Sequence, residues 1–171
     1  MKRIGLLSDT HSYLDKSIFK YFEECDEVWH AGDIGDAQVV KDLEKFKPLK
    51  AVYGNIDDKD LQAEYPLNWR FDCEGVDVWM THIGGYPGRY NKRVRQEFET
   101  NPPKLFICGH SHILKVMPDK KYNFIHINPG ACGHHGIHQM RTIIRFTIDA
   151  GVIKDLEVIE LGKRGKIDPE D

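Results

Sequence analysis

The chain has 171 residues, of which 40% are hydrophobic and 30% are charged. This composition is typical of a single globular domain and excludes a disordered or fibrous chain. No apolar run reaches the roughly 18 residues that a membrane-spanning helix needs, so we expect no membrane partner. The 24 basic and 27 acidic side chains give a net charge of -3, which offers no overall attraction for nucleic acid.

The cysteines and the first residues indicate a cytoplasmic protein. The four cysteines are far apart and form no Cys-x-x-Cys pair, so we interpret them as reduced thiols. The chain starts with two basic residues and a short apolar run, without the cleavage site of a signal peptide. We therefore interpret the run as a first buried strand.

The first half of the chain alternates strand-like and helix-like segments. Strands are predicted at residues 2–8, 27–31 and 49–53. Helices are predicted between them from apolar residues spaced three or four positions apart, namely Leu14, Ile18 and Phe22, then Val39, Leu43 and Phe46. This order predicts a βαβαβ unit with a parallel sheet, whose strands end at one edge.

The second half is richer in strands. They are predicted at residues 76–80, 105–108, 122–128, 141–149 and 152–161. The last two strands are predicted to form a hairpin around Ala150-Gly151. A helix carrying Tyr90, Val94 and Phe98 is predicted to end before Pro102. Residues 1–162 are predicted to form one domain, and the charged residues 163–171 a mobile tail.

Polar residues that suit metal ions follow the predicted strands. They are Asp9, His11, Asp33, Asn55, His82, His110 and His112. Each short motif alone is common in turns and helix caps. The order of all these motifs, each at the end of a strand, is not expected by chance. Carboxylate and imidazole ligands without a thiolate suit Mn, Fe, Co, Ni or Zn. Seven side chains exceed what one catalytic ion uses, and an aspartate can bridge two ions about 3.5–4 Å apart, so the set predicts a two-metal site.

This motif set resembles a known signature. The residues Asp9-x-His11, Gly32-Asp33-x-x-Asp36, Gly54-Asn55, His82 and Gly109-His110-x-His112 resemble the calcineurin-like metallophosphoesterases. The length and Asn128-Pro129-Gly130 resemble their small bacterial and archaeal phosphodiesterase branch, which also contains the retromer scaffold subunit. The resemblance covers residues 2–160 and implies an α/β fold, a four-layer α/β/β/α sandwich of two mixed β-sheets flanked by helices.

The resemblance also implies roles for the site residues. The first ion would be held by Asp9, His11, Asp33 and His112, and the second by Asp33, Asn55, His82 and His110. Manganese is our first choice for both ions, with Ni, Co, Fe or Zn open. A hydroxide between the two ions would attack phosphorus in line, which makes the expected protein a hydrolase of small phosphate esters, diesters before monoesters.

Three residues are assigned to catalysis itself: Asn55, His82 and His138. Many members of the superfamily carry a histidine after the asparagine, where it helps the leaving oxygen to depart. Here that position is Ile56, which cannot donate a proton. Without that acid we expect modest activity that depends steeply on the pKa of the leaving group and is best with aryl phosphate diesters. His138 is our first choice for a residue that partly takes over the role.

The remaining polar residues have structural or open roles. Asp36 either supports the site or caps a helix, whereas Asp57, His30 and His126 are interpreted as structural. The loop histidines His134, His135 and His138 leave contact with a substrate phosphate open. The basic residues Arg89, Lys92, Arg93 and Arg95 are interpreted as a solvated helix face, with steering of an anion as the alternative.

Two other functions and the oligomeric state stay open. A metal-binding scaffold of the same fold would be expected to lack ligands, and none is missing. A nuclease would need a basic groove with aromatic stacking platforms, which the sequence does not show. A homo-oligomer is compatible with the sequence, which identifies neither the physiological substrate nor the native metal.

Overall fold

Two five-stranded sheets dominate the computed structural model, which describes residues 1–165. In chain order the elements are β1 (Lys2–Leu7), α1 (Ser17–Tyr21), β2 (Glu27–His30), α2 (Ala37–Phe46), β3 (Leu49–Ala51), α3 (Lys59–Glu64), β4 (Asn68–Cys73), β5 (Val76–Thr81), β6 (Gly85–Tyr86), β7 (Arg89–Tyr90), α4 (Lys92–Thr100), β8 (Leu105–Ile107), β9 (Lys115–Asp119), β10 (Phe124–Asn128), β11 (Met140–Asp149) and β12 (Val152–Lys163). Strands β6 and β7 form a separate small hairpin.

Both large sheets are mixed: sheet A has antiparallel strands at one side only, whereas sheet B has one at each edge. Sheet A has the order β12-β11-β1-β2-β3, in which β1, β2 and β3 run parallel and β11 and β12 run antiparallel to their neighbours. Sheet B has the order β4-β5-β8-β10-β9, with β5, β8 and β10 parallel. The parallel β1-β2-β3 unit confirms the βαβαβ prediction, and the carboxyl ends of its strands meet at one edge.

Apolar side chains fill three layers of packing. Between the sheets, Trp29 of sheet A belongs to the same buried cluster as Val78 of sheet B. Helices α1 and α2 cover the outer face of sheet A, where Leu43 shares a cluster with Val28. Helix α4 covers sheet B, and the rings of Phe98 and Phe106 lie 4.8 Å apart. The order helix, sheet, sheet, helix confirms the predicted four-layer sandwich.

Local sequence explains the element boundaries that frame the site. The carboxylate of Asp36 accepts a hydrogen bond of 2.8 Å from the backbone N–H of Gln38 and so caps α2. Helix α2 ends before Pro48, because the residue that precedes a proline avoids the helical region. The predicted hairpin between β11 and β12 is confirmed, with positive φ at Ala150 (46°) and Gly151 (81°) as a tight turn requires.

Some predicted elements differ from the structure. Helix α1 has five residues, so Leu14 and Phe22 lie outside it, although Phe22 is buried. Tyr90 belongs to β7 and not to the following helix, because the side chain of Asn91 accepts from Arg93 N and starts α4 there. Helix α3 and strands β4, β6, β7 and β9 were not predicted. Helix α3 buries only Leu61, which leaves no apolar period for the sequence to display.

The carboxyl-terminal strand passes the predicted domain boundary. Strand β12 includes Lys163, the first residue of the predicted mobile tail. Residues 166–171, which make up most of that tail, lie outside the described residues. Within residues 1–165, no helix combines the length and the apolar character needed to cross a bilayer.

Candidate metal centre

The seven predicted ligands follow five strand ends on both sheets. Sheet A contributes four of them: Asp9 and His11 after β1, Asp33 after β2 and Asn55 after β3. Sheet B contributes the other three: His82 after β5, then His110 and His112 after β8. The site therefore lies across the seam between the two sheets.

The side chains converge in two groups that share Asp33. Ligand atoms of Asp9, His11, Asp33 and His112 lie within 4.8 Å of one another, as do those of Asp33, His82 and His110. Asn55 joins the second group, because its Oδ1 lies 3.0 Å from Nδ1 of His110. The structure thus brings all seven residues together, and their division between two ions stays a prediction.

The closest approaches are between imidazole nitrogens and carboxylate oxygens. Asp33 Oδ2 lies 3.3 Å from His11 Nε2 and 3.1 Å from His82 Nε2. Asp9 Oδ1 lies 3.2 Å from His112 Nε2. Among the described residues, Asp9 Oδ1, His11 Nε2 and His82 Nε2 are buried atoms without a hydrogen-bond partner. Buried polar atoms normally have partners, so these converging atoms fit a bound cation.

Hydrogen bonds outside the cluster orient the ligands. His82 Nδ1 lies 2.8 Å from the carbonyl oxygen of Ala31. Donation from Nδ1 to this oxygen turns the lone pair of Nε2 towards Asp33, as expected of a metal-binding histidine. Asp9 Oδ2 accepts from Ser8 Oγ at 2.6 Å. Asp33 Oδ1 accepts from Ile56 N at 3.1 Å, which leaves Oδ2 directed into the site.

Five of the seven ligands have a left-handed backbone. The φ angles are 55° at Asp9, 44° at His11, 55° at Asp33, 72° at His110 and 63° at His112. Such angles are uncommon for residues other than glycine, although Asp, Asn and His tolerate them best. Backbone strain of this kind collects at functional sites, where the surrounding fold holds side chains in one direction.

Several glycines lie against the predicted ligands, and Gly54 and Gly136 approach them most closely. A Cβ atom at Gly54 would overlap Oδ1 of Asp33, and one at Gly136 would overlap the ring of His112. No side chain fits at either position without moving a ligand. The close approach therefore requires glycine at both positions.

The two carboxylates of the cluster stay ionised at neutral pH. Burial opposes ionisation of Asp9 and Asp33, but the neighbouring histidines outweigh it and hold the pKa of both carboxyls below its usual range. The carboxylates of Asp33 and Asp9 in turn raise the pKa of His11 to about 9. The ionised aspartates make the seam attractive to cations at neutral pH.

The loop 133–138 lies beside the first group of ligands. The ring of His135 stacks on His11 with centroids 4.6 Å apart, and the ring of His138 meets His112 edge-on at 5.2 Å. His138 is buried, and its Nε2 lies 2.9 Å from the carbonyl oxygen of Gly133. Its assignment to catalysis stays a prediction.

Residues interpreted as structural hold the loops that carry the ligands. Asp57 accepts from the backbone N–H groups of Ile34, Gly35 and Gly54 at 3.2, 2.8 and 2.7 Å, which ties the Asp33 and Asn55 loops together. His30 is buried, with Nε2 3.0 Å from the hydroxyl of Thr10.

His126 is buried in β10, as predicted. Sequence reasoning missed Ser8, whose only signal is its position beside Asp9 at the end of the first strand.

Comparisons with known proteins agree with this geometry. A model of the calcineurin-like phosphoesterase superfamily domain matches residues 1–151. The chain is 27% identical over 135 residues to a protein of Methanothermobacter thermautotrophicus named as a probable metallophosphoesterase, covering 75% of this chain and 76% of that protein.

Solved structures share the fold. A Thermotoga maritima protein solved by NMR has a TM-score of 0.72 and 27% identity, covering 94% of this chain and 100% of that chain. Vps29 of Entamoeba histolytica in complex with zinc has a TM-score of 0.69 and 14% identity, covering 92% of this chain and 98% of that chain. The Asp and His cluster and the family match together indicate a divalent-metal-binding phosphoesterase, and the chain belongs to the calcineurin-like phosphoesterase superfamily.

Proposed function

We propose that the protein is a dinuclear metal-dependent phosphodiesterase that hydrolyses small phosphate esters in the cytoplasm. The observation that carries the proposal is the presence of Asp33 in both groups of converging ligands. A carboxylate has two oxygens, so one side chain can serve two ions, whereas a single-ion site would have no use for seven ligands.

The division of ligands follows the two groups. Asp9, His11, Asp33 and His112 would hold one ion, and Asp33, Asn55, His82 and His110 the other, with Mn²⁺ preferred. Bound divalent ions supply the activation of water at neutral pH and offset the negative charge of the phosphoryl group. Nitrogen and carboxylate ligands also admit Ni, Co, Fe or Zn.

The chain's own residues would position the phosphate ester. His82 is fixed by its contact with the Ala31 carbonyl, so it holds its direction before substrate arrives. Asn55 is exposed, and with its Oδ1 turned to His110 its amide N–H₂ is available to a phosphoryl oxygen. The side chain of Ile56 is 45% exposed next to this point and has no proton to give.

The missing acid favours activated esters. His138 is our first choice for the acid, but it is buried and its Nε2 faces the backbone of Gly133. Esters whose leaving group departs without a proton, such as nitrophenyl esters, are then cleaved fastest. This reasoning favours aryl phosphodiesters as the first substrates to assay.

Metal analysis combined with hydrolysis tests the proposal. Protein loaded with Mn²⁺ should contain two equivalents by elemental analysis and should hydrolyse bis(4-nitrophenyl) phosphate. A chelator should abolish this activity, and Mn, Co or Ni should restore it. Full turnover by demonstrably metal-free protein, or one equivalent of metal at saturation, would rule out the dinuclear mechanism.

A protein-binding scaffold is the second candidate. Three exposed isoleucines adjoin ligand or loop residues: Ile56 (45% exposed), Ile113 (60%) and Ile137 (90%). Exposed apolar side chains near one site favour contact with a protein surface. A scaffold would bind metal without turning over any phosphate ester, so the same assay separates the two candidates.

A further inference from the structure

A cavity of about 240 Å³ opens beside the candidate metal centre, where Asn55 and His82 form part of its wall. Its apolar wall consists of Tyr53, Leu67 and Ile83, and its polar wall includes Arg93. An engineered cavity of about 150 Å³ accommodates benzene. The cavity is therefore large enough for one ring with a substituent, and a group bound there would adjoin the second ion's ligands.

Arg93 is a fixed cation in this wall. Its Nη1 donates to Asn68 Oδ1 at 2.6 Å, and its Nη2 donates to Thr81 Oγ1 at 3.0 Å and to the Ile83 carbonyl at 3.2 Å. All three acceptors are neutral. They immobilise the guanidinium without cancelling its charge, and they leave other N–H groups of the fork available.

Its environment differs from that of Arg70 in β4, which contacts the carboxyl-terminal part of helix α4 at Glu97 and Asn101. Arg70 pairs with Asp77 at 2.7 Å and with Glu97 at 3.3 Å. Arg93 forms no ion pair within residues 1–165. An arginine that is positioned by neutral acceptors and lacks a carboxylate partner is suited to bind an anion from outside.

We infer that this cavity binds one ester arm of the substrate and that Arg93 pairs with a negatively charged group on that arm. The substrate class is then a phosphodiester in which one arm is about the size of a ring and carries a carboxylate or a phosphate. The inference rests on the proposed function, because the scissile phosphate has to lie at the metal centre. The sequence placed Arg93 on a solvated helix face. The cavity instead gives this residue a role in substrate specificity.

Three diesters of 4-nitrophenol test the inference with the Mn²⁺-loaded protein. Their second arms are 4-carboxyphenyl, 4-phosphonophenyl and the neutral 4-carbamoylphenyl, and nitrophenolate is the monitored leaving group in every case. Wild type should prefer an anionic arm by about 10-fold in kcat/KM over the carbamoyl arm. The relative rates of the two anionic arms distinguish a carboxylate from a phosphate as the preferred group.

Substitutions then locate the preference. Arg93→Gln should abolish it while retaining hydrolysis of the carbamoyl diester, and Arg93→Lys should retain part of it. Arg95→Gln, on the same helix but outside this cavity, is the matched control and should keep the full preference. Leu67→Glu would place a carboxylate in the same wall, where it would pair with Arg93, and should remove the preference without removing the arginine. This variant covers the case in which Arg93→Gln does not fold.

Equilibrium binding separates this inference from the proposed function. Calorimetry should show that wild type binds 4-carboxyphenyl phosphate about 10-fold more tightly than 4-carbamoylphenyl phosphate. Arg93→Gln should bind these two ligands with the same affinity. If no diester is hydrolysed but this binding difference persists, the hydrolase proposal fails and the anion site stands. An equal loss on all three diesters in Arg93→Gln, or no binding preference in wild type, would overturn the inference.

Discussion

Strand β2 has a buried carboxylate at its start and another just past its end, and the two are held in opposite ways. Glu27, at the start, is 7% exposed and accepts from Lys2 at 2.7 Å, from Trp29 at 2.9 Å and from Lys50 at 3.0 Å. Asp33, just past the other end, is 2% exposed and faces the imidazoles of His11 and His82.

The difference lies in what the neighbours can offer. The neighbours of Glu27 all carry hydrogens to donate, so its charge is satisfied by the protein alone. The neighbours of Asp33 are histidines whose facing nitrogens have no hydrogen-bond partner, on a backbone with positive φ. A buried carboxylate that the fold satisfies stabilises the protein, whereas one that the fold leaves incomplete is suited to a ligand.

The largest expected effect comes from Asp33→Asn, which keeps the shape and tolerates the positive φ. It removes the shared charge, so metal content should fall below two equivalents and turnover by about 100-fold or more. Elemental analysis and hydrolysis of bis(4-nitrophenyl) phosphate measure both. The matched control is Asp36→Asn, since asparagine also caps helices well, and it should keep metal and turnover. Equal losses in the two variants would contradict the comparison.

The polar residues at the strand ends could be predicted from the sequence, because each follows an apolar strand and parallel strands bring their ends together. Their role as metal ligands stays a prediction. By contrast, β9 is an exposed edge strand containing Pro118, and its burial pattern gives no alternation to detect. The anchoring of Arg93 was also hidden, because Asn68 lies 25 residues before it in the chain.

A smaller effect is expected from Glu27→Gln, this time on stability. Burial opposes ionisation of Glu27, but the hydrogen bonds from Lys2, Trp29 and Lys50 outweigh it and lower the pKa to about 2. The variant should lose about 2 kcal/mol of unfolding free energy at neutral pH and keep its metal and turnover. Urea unfolding measures the loss.

The pH dependence of that loss follows from the depressed pKa. The carboxylate stabilises the fold fully above its ordinary value of 4.5, and this contribution disappears as the pH falls towards 2. The difference between wild type and Glu27→Gln should therefore shrink between these two values. A difference that is independent of pH would show that the charge of Glu27 is not the source of the stability.

The smallest effect is expected from a substitution beside Asp33, and it concerns the rate of hydrolysis. Ile56→His places an acid next to Asn55 and keeps the backbone N–H of residue 56 on Asp33 Oδ1. It should speed esters with poor leaving groups by about 10-fold and leave nitrophenyl esters nearly unchanged. Rates across a series of aryl phosphodiesters of graded leaving-group pKa measure the slope. An unchanged slope, with metal content intact, would contradict the idea that an acid is missing.

The position of the predicted ligands across the seam has a further consequence for thermal stability. Four ligands come from sheet A and three from sheet B, so an ion held between them cross-links the two halves of the domain. Unfolding would separate the sheets and release the ion, which makes the melting temperature rise with the concentration of free metal. The concentration of free metal would then set the thermal stability of the protein as well as its rate of hydrolysis.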